Sequence, residues 1–336
     1  KRHSGRPFAI DEAQLEPRLF PALKEWVRNH KAPGQYLLSG SVRFTSRMAI
    51  RESLTGRILN LELFPMVVSE LEERPLPSFI SRCLADPIVR IPPAIPSAQL
   101  KFRRRGIERY SRLGGLPGVC FIRDDRLRAL KIDEQLKTIL DRDLRLLFRT
   151  TLGLSELIEV LRGFALTQGE PLEWTRLAST TQVSVPTLKK LSTAFESLFL
   201  LRRLPIQGGR KGIQVFLEDM GEAQFLRGSE ISDEVKTSHF FFCHFRAEFE
   251  YRAGTRAQAF VYRTRGGAFL PLAYRSPQGY LGVLPLKDAG ALRQAIPSIN
   301  SFLKTYAGAK VILPHPGTEL EIVQPNVLLV PYGYCI

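Results

Sequence analysis

Apolar residues recur along this chain in two rhythms. Phe8–Ile10 and Tyr36–Leu38 are three-residue apolar runs, each closed abruptly by polar residues, the pattern of short buried strands. Between them, Leu19–His30 reads as a helix. Further on, Leu157, Ile158, Leu161, Phe164 and Ala165 stand at helical spacing and predict an amphipathic helix over Ser155–Gln168. A short helix over Leu172–Ser179 and a turn at Thr180–Val183 follow. Ser184 then has the chemistry of an N-cap, with Pro186 in the first turn of a helix that carries Leu188, Leu191, Ala194, Phe195 and Leu198 inward. Phe199–Pro205 and Ile213–Leu217 read as a hairpin whose tip, Gly208–Gly212, holds Arg210 and Lys211.

Helix, turn, helix and basic hairpin is a winged-helix layout. In that reading Thr187, Lys189 and Lys190 approach a DNA groove while Arg210 and Lys211 meet its backbone. The same layout also serves as a packing or protein-contact module, and the sequence leaves both open. Residues 71–112 are rich in proline and arginine and predict short helices. They include Arg103, Arg104 and Arg105, a run that continues to Arg109 and Arg112 against Glu108 alone. Such a run suits phosphates of nucleotide or nucleic acid, or simply a solvated linker face.

Composition narrows the class. With 44% hydrophobic and 24% charged residues over 336 positions, the chain can bury two or three ordinary cores. No apolar run approaches a membrane span, no signal-peptide pattern opens the sequence, and the four cysteines are scattered, which points to a reducing cytoplasm. The net charge is +15, of which residues 1–150 carry 28 basic and 17 acidic groups. A basic surface suits nucleic acid, polyphosphate or an anionic membrane, and equally an ordinary soluble basic protein.

The sharpest chemical signal is Asp11-Glu12. An apolar strand that stops at two adjacent acids sets both carboxylates at the C-terminal edge of a sheet, where open α/β folds bind ligands. An N-capping aspartate is the bland alternative. Tyr36–Leu38 running into Ser39-Gly40-Ser41, then Glu52–Arg57 (ESLTGR) and Pro65–Glu70, extend the series. Together IDEAQ, LLSGS, ESLTGRI and LELFPMVVSEL resemble prokaryotic AAA-type ATPases that carry a C-terminal restriction-endonuclease-like domain of unknown function. Gly114–Pro117, Leu136–Leu147 with its Arg-Asp-Leu centre, and Phe216, Asp219 and Gly221 resemble further elements of that family. So do a late amphipathic helix at Ile299–Tyr306 and strands at Lys310–Leu313 and Val327–Pro331.

The resemblance implies an ATP and Mg²⁺ site in which Asp11 holds the metal and Glu12 activates water. Ser39 or Ser41 would sense the γ-phosphate, and Arg57 would stabilise charge or cap a helix. One part is missing. A G-x-x-x-x-G-K-[ST] loop belongs tens of residues before Walker B, yet ten residues precede Asp11 and no Gly-Lys dipeptide occurs. The chain starts at Lys1, and the expectation is a front end outside this sequence, the alternative being a non-hydrolysing relative.

At the other end, the resemblance implies metal-binding acids and a lysine on two strands. Here those positions hold Gln258, Ala273 and Arg275, and no acid lies between Tyr251 and Lys287, which predicts a nuclease-like fold without nuclease chemistry. His239 and His244, flanking Phe240–Cys243, read as core histidines. The expected organisation is α/β and multidomain. It comprises a partial P-loop NTPase core (1–70), a helical lid (71–150), a winged helix (151–217) and a restriction-endonuclease-like domain with a degenerate site (218–336). ATP-dependent output and a non-catalytic basic scaffold are the competing functions. DNA or a protein is the expected partner, a homo-oligomer is open, and no membrane partner is expected.

Overall fold

Three-residue strands hold only against partners. In the computed structural model, which describes residues 7–30, 32–43, 56–88, 96–228, 231–252 and 257–336, β1 (Phe8–Ile10) pairs in parallel with β2 (Tyr36–Leu38). Helix α1 (Leu19–Asn29) covers one face of the pair, burying Phe20 and Leu23 against Ile10, Tyr36 and Leu38. The alternate positions, Ala9 and Leu37, face the other way and are exposed. Residues 44–55, which include Glu52–Thr55 of the family series, lie outside the described residues.

Beyond β2 the chain enters a second core. Val42 is buried among helices, and the Arg43 amide donates to the Ser197 carbonyl at 3.0 Å. Of the helices that follow, α2 (Phe79–Ala85) and α3 (Ser97–Leu113) bury their apolar sides in a different core, while α4 (Asp125–Thr138), α5 (Leu154–Leu166), α6 (Trp174–Thr181) and α7 (Val185–Ser197) surround Val42. Helix α4 runs through a π-helical stretch, Ile139–Asp143, into Leu144–Leu147. Residues 71–112 therefore hold all but the last residue of a 17-residue helix rather than only short ones. The prolines stop at Pro96, after which Leu100, Ile107, Tyr110 and Leu113 supply a buried stripe at helical spacing. Ser184 caps α7 as its sequence implies, accepting from the Thr187 amide at 3.4 Å.

The expected hairpin forms as β3 (Leu201–Gln207) and β4 (Ile213–Leu217), but it does not stand apart. Ile206 and Gln207 pair in parallel with Val261 and Tyr262 of β5 (Gln258–Arg263). The hairpin is thus the edge of an eight-stranded mixed sheet of order β4-β3-β5-β6-β7-β8-β10-β9. Its other strands are β6 (Phe269–Ser276), β7 (Gly279–Val283), β8 (Lys310–His315), β9 (Glu321–Gln324) and β10 (Val327–Pro331). Helix α8 (Met220–Arg227) follows the hairpin. Helix α9 (Asp233–Tyr251) covers one face of the sheet with Phe240, Phe241, Phe245 and Phe249, and α10 (Leu292–Thr305) covers the other with Ile299 and Phe302. Alternation sorts β10 cleanly: Val327 and Leu329 face α10, Leu328 and Val330 face α9.

His239 and His244 lie inside α9 and are core residues. His239 Nε2 meets the Leu217 carbonyl at 2.7 Å, and His244 Nε2 accepts from the Val68 amide at 3.0 Å. Burial pushes the two imidazoles down, to about 4 and about 3 respectively. Among the described residues no helix is long and apolar enough to cross a membrane.

Candidate nucleotide site

The parallel register puts Ile10 beside Leu38, so the two strands release Asp11 and Ser39 next to each other. Two backbone bonds pin these exits: the Ser39 amide donates to the Ile10 carbonyl at 2.9 Å and the Ala13 amide to the Ser39 carbonyl at 3.1 Å. The Ser39 hydroxyl donates to Asp11 Oδ1 at 2.5 Å, and the Glu12 amide donates to the same oxygen at 2.9 Å. These donors, Ser39 first, hold the exposed Asp11 carboxyl below its usual range, so it is anionic at neutral pH. Glu12 sits at φ 48°, ψ 39°, left-handed backbone that costs a non-glycine residue about 1 kcal/mol or more, and opens the turn Ala13–Leu15. That conformation turns the chain at the strand end, where the Asp11 carboxylate meets Ser39 and the Glu12 carboxylate meets Gln14.

Gln14 completes the arrangement. Almost fully buried, its amide nitrogen donates to the Glu12 carboxylate and to Ser41 Oγ at 3.2 Å, linking the two exits a second time. Gln14 carries no functional mark in the sequence, although it stands two residues after Glu12 on the same short segment. Arg142 is scarcely better marked. It sits in the π-helical stretch, a local irregularity frequent at functional sites, and pairs with Asp143 at 2.7 Å. Asp143 raises its pKa, and the Glu12 carboxylate adds to that rise, so Arg142 lies within electrostatic reach of the strand edge. Its only advance sign was the Arg-Asp-Leu centre of Leu136–Leu147. Arg57 is exposed on the same unit, one residue before Ile58, which packs against the Phe20–Leu23 core.

The first part of the chain resembles an AAA domain. Residues 1–72 match a family described as AAA domain, a stretch that contains Asp11, Glu12, Ser39, Ser41 and Arg57. Residues 104–208 match a family described as a domain of unknown function (DUF8612), which runs from within α3 to the end of β3. No curated protein matches the chain, and no solved structure does.

The charged residues singled out for nucleic acid divide between two cores. On α3, Arg103 turns inward and donates to the Gly333 carbonyl at 2.5 Å and that of Ile336 at 3.3 Å, Arg104 pairs with Glu108 at 3.2 Å, and Arg105 is exposed. On α7, Thr187 shares a 2.9 Å hydrogen bond with Ser184, Lys189 lies 5.8 Å from the Trp174 ring centre, and Lys190 is exposed. Arg210 and Lys211 are exposed at the hairpin tip, where the Arg210 amide is tied to the Arg263 carbonyl.

In the large sheet Gln258 stands opposite Arg275, both exposed, while Ala273 stands opposite Phe260 in the core beneath α10. A carboxylate in the place of Ala273 would be buried among apolar side chains. Among the described residues no group of three or more His, Cys, Asp or Glu is arranged to hold a metal.

Two motifs apart in sequence do meet. Buried Asp219 accepts from the amides of Gly115 (2.6 Å), Gly221 (2.7 Å) and Glu222 (3.0 Å), capping α8 while holding the Gly114-Gly115 loop. Beside it, fully buried Glu218 gathers Arg43 (3.7 Å), Arg202 (3.2 Å) and Arg246, and Glu62 bridges Arg43 and Arg202 at 2.9 Å each. Burial raises the Glu218 carboxyl, but Arg246 and Arg202 outweigh burial and bring it below its usual value. No sequence pattern marked this network, because its members come from five separate segments.

Proposed function

We propose that this chain carries the metal-binding and water-activating edge of an AAA-type ATP-binding unit, coupled to the body formed by the helical core and the large sheet. The observation that carries the reading is the Ser39–Asp11 hydrogen bond across the C-terminal ends of two adjacent parallel strands, with Glu12 next in sequence. Asp11 is an ionised, exposed carboxylate whose Oδ1 is oriented by two donors, the donor chemistry that Mg²⁺ takes from proteins when substrate phosphates supply its other ligands.

Asp11 and a serine hydroxyl therefore fit the metal. Bound Mg²⁺ would neutralise charge on the phosphates. Glu12, steered by Gln14, would orient water; Arg142, which interacts with Glu12, and Arg57, on the same unit, are the candidate cations. The phosphate cradle does not fit: no glycine-rich loop with a following lysine occurs in this sequence. The reading therefore requires a strand, P-loop and helix from polypeptide outside this sequence. The exposed Ala9–Leu37 face supports that need, since parallel strands are normally covered on both faces.

Nucleotide binding and hydrolysis by the complete gene product test the reading. Asp11→Asn is expected to weaken Mg²⁺-dependent ATP binding about tenfold or more, and Glu12→Gln to retain binding while hydrolysis falls at least about a hundredfold. Absence of Mg-ATP binding, or unchanged hydrolysis in Glu12→Gln, sinks it.

A further inference from the structure

The outward face of α3 has no role in the nucleotide site. At 100° per residue, Lys101, Arg105, Arg109 and Arg112 fall within an arc of about 80° and extend over about 16 Å of helix. All four are exposed, and none is in an ion pair among the described residues, while Leu100, Ile107, Tyr110 and Leu113 bury the opposite side. The single acid on the helix, Glu108, is committed to Arg104. Successive cations stand about 6 Å apart along the axis, close enough to track a continuous anionic backbone.

This face is not purely ionic. Phe102, 59% exposed, stands at its margin, and Phe121, 56% exposed, follows the turn that leaves α3. Among the described residues only one other phenylalanine, Phe8, is exposed; the rest are buried or half-buried. The turn carrying Phe121 lies close to the end of α3. Arg112 acts on the Asp125 carboxyl, which is lowered chiefly by its own partner Arg128, and Arg109 offsets part of the burial that raises the Cys120 thiol. Exposed Arg123 and Arg126 extend the positive charge there. Two solvent-exposed rings among unpaired arginines suit a ligand that offers both phosphates and flat apolar faces. Duplexes hide their base faces by stacking, whereas single strands present them.

We propose that the Lys101–Arg112 face of α3, with Phe102 and Phe121, is a docking surface for single-stranded nucleic acid. The phosphates lie along the cations and bases stack on the two rings. This surface is distinct from the α7 helix and the β3–β4 tip, and it does not depend on the nucleotide site.

Fluorescence anisotropy with labelled oligo-dT and oligo-rU of about 20 nucleotides, and with a duplex of equal length, tests it on the chain as it stands. Wild-type protein is expected to bind the single strands more tightly than the duplex, with an affinity that falls as salt rises. Arg105→Ala/Arg109→Ala should lower affinity about tenfold or more and flatten the salt dependence by about 0.7 in log–log slope for each lost contact. Phe102→Ala should weaken single-strand binding about fivefold or more and leave duplex binding unchanged. All these positions are exposed, and unchanged thermal melting verifies the fold of each variant. Equal affinity for oligo-dT and oligo-rU means that sugar identity plays no part, which the stacking arrangement predicts. The proposal is overturned if wild-type protein binds neither oligomer, or if the arginine pair has no effect. A Phe102→Ala variant that binds single strands as wild type does also overturns it. So does a result in which Lys189→Ala/Lys190→Ala, and not the α3 variants, abolishes binding.

Discussion

Glu248 shows how far burial can move a single residue. It lies inside α9, with Oε1 accepting from the Ser81 amide at 2.8 Å, and burial raises its carboxyl from 4.5 to about 7. The folded chain therefore holds a proton that the unfolded chain releases, and stability falls as pH rises from about 4.5 through 7. Above pH 7 the ionised group costs about 3 kcal/mol, at about 1.4 kcal/mol per pK unit. Glu248→Gln keeps the acceptor for Ser81 and removes the ionisation. Denaturant melts should find the variant more stable than wild type above pH 7 and equal to it below about 4.5; a pH-independent difference refutes the assignment. A carboxylate in a phenylalanine-rich helix is legible as unusual, but its protonation state depends on what surrounds it. The two histidines of the same helix were legible as core because they flank the apolar run Phe240–Cys243. Gln14 and Arg142 were not, because nothing local to an amide or an arginine records which oxygen it will face.

Among the elements, caps and apolar rhythms were the most legible. Ser184 opens α7 and the β3–β4 hairpin forms about its glycine-rich tip, because both depend on neighbours a few residues away. Asp219 stood out only as part of a family-like segment; neither its capping of α8 nor its third bond, to Gly115 from 104 residues away in sequence, was legible. That bond changes the energetics. Asp219→Ala strands three amides, two of them at a buried helix start, and is expected to destabilise by about 3 kcal/mol. Ser184→Ala removes one exposed, long cap bond and should cost about 0.5–1 kcal/mol. Chemical denaturation of both variants at unchanged m-value checks the ordering, and equal losses would show that Asp219 acts only as a local cap. The length of α3 was misjudged for a related reason. Its arginines mask an apolar stripe that becomes decisive only when α9 and the sheet lie against it.

Across the whole molecule, Arg43 and Glu62 tie the AAA-like segment to the body through Glu218, and Phe64 adds a second tie, its amide donating to the Tyr251 hydroxyl at 2.7 Å beneath Arg246. Removing one member leaves the others buried and unbalanced, a loss of about 3–5 kcal/mol for a buried pair. Glu218→Gln is accordingly expected to loosen the attachment of β1 and β2. Hydrogen exchange should quicken at Tyr36–Leu38 while amides of β6 and β8 keep their protection; uniform acceleration would mean that Glu218 stabilises the body and not the attachment.

By itself the sequence determined the strands, helices and caps whose causes are local, and it placed Asp11 and Glu12 at a strand end because apolar runs and turn chemistry act over a few residues. The large sheet absorbing the hairpin, the meeting of Asp219 with Gly115 and the arginine cluster on Glu218 were decided only by tertiary structure. Each needs groups tens to hundreds of residues apart to satisfy one another away from water, and no short stretch of chain encodes that partner choice.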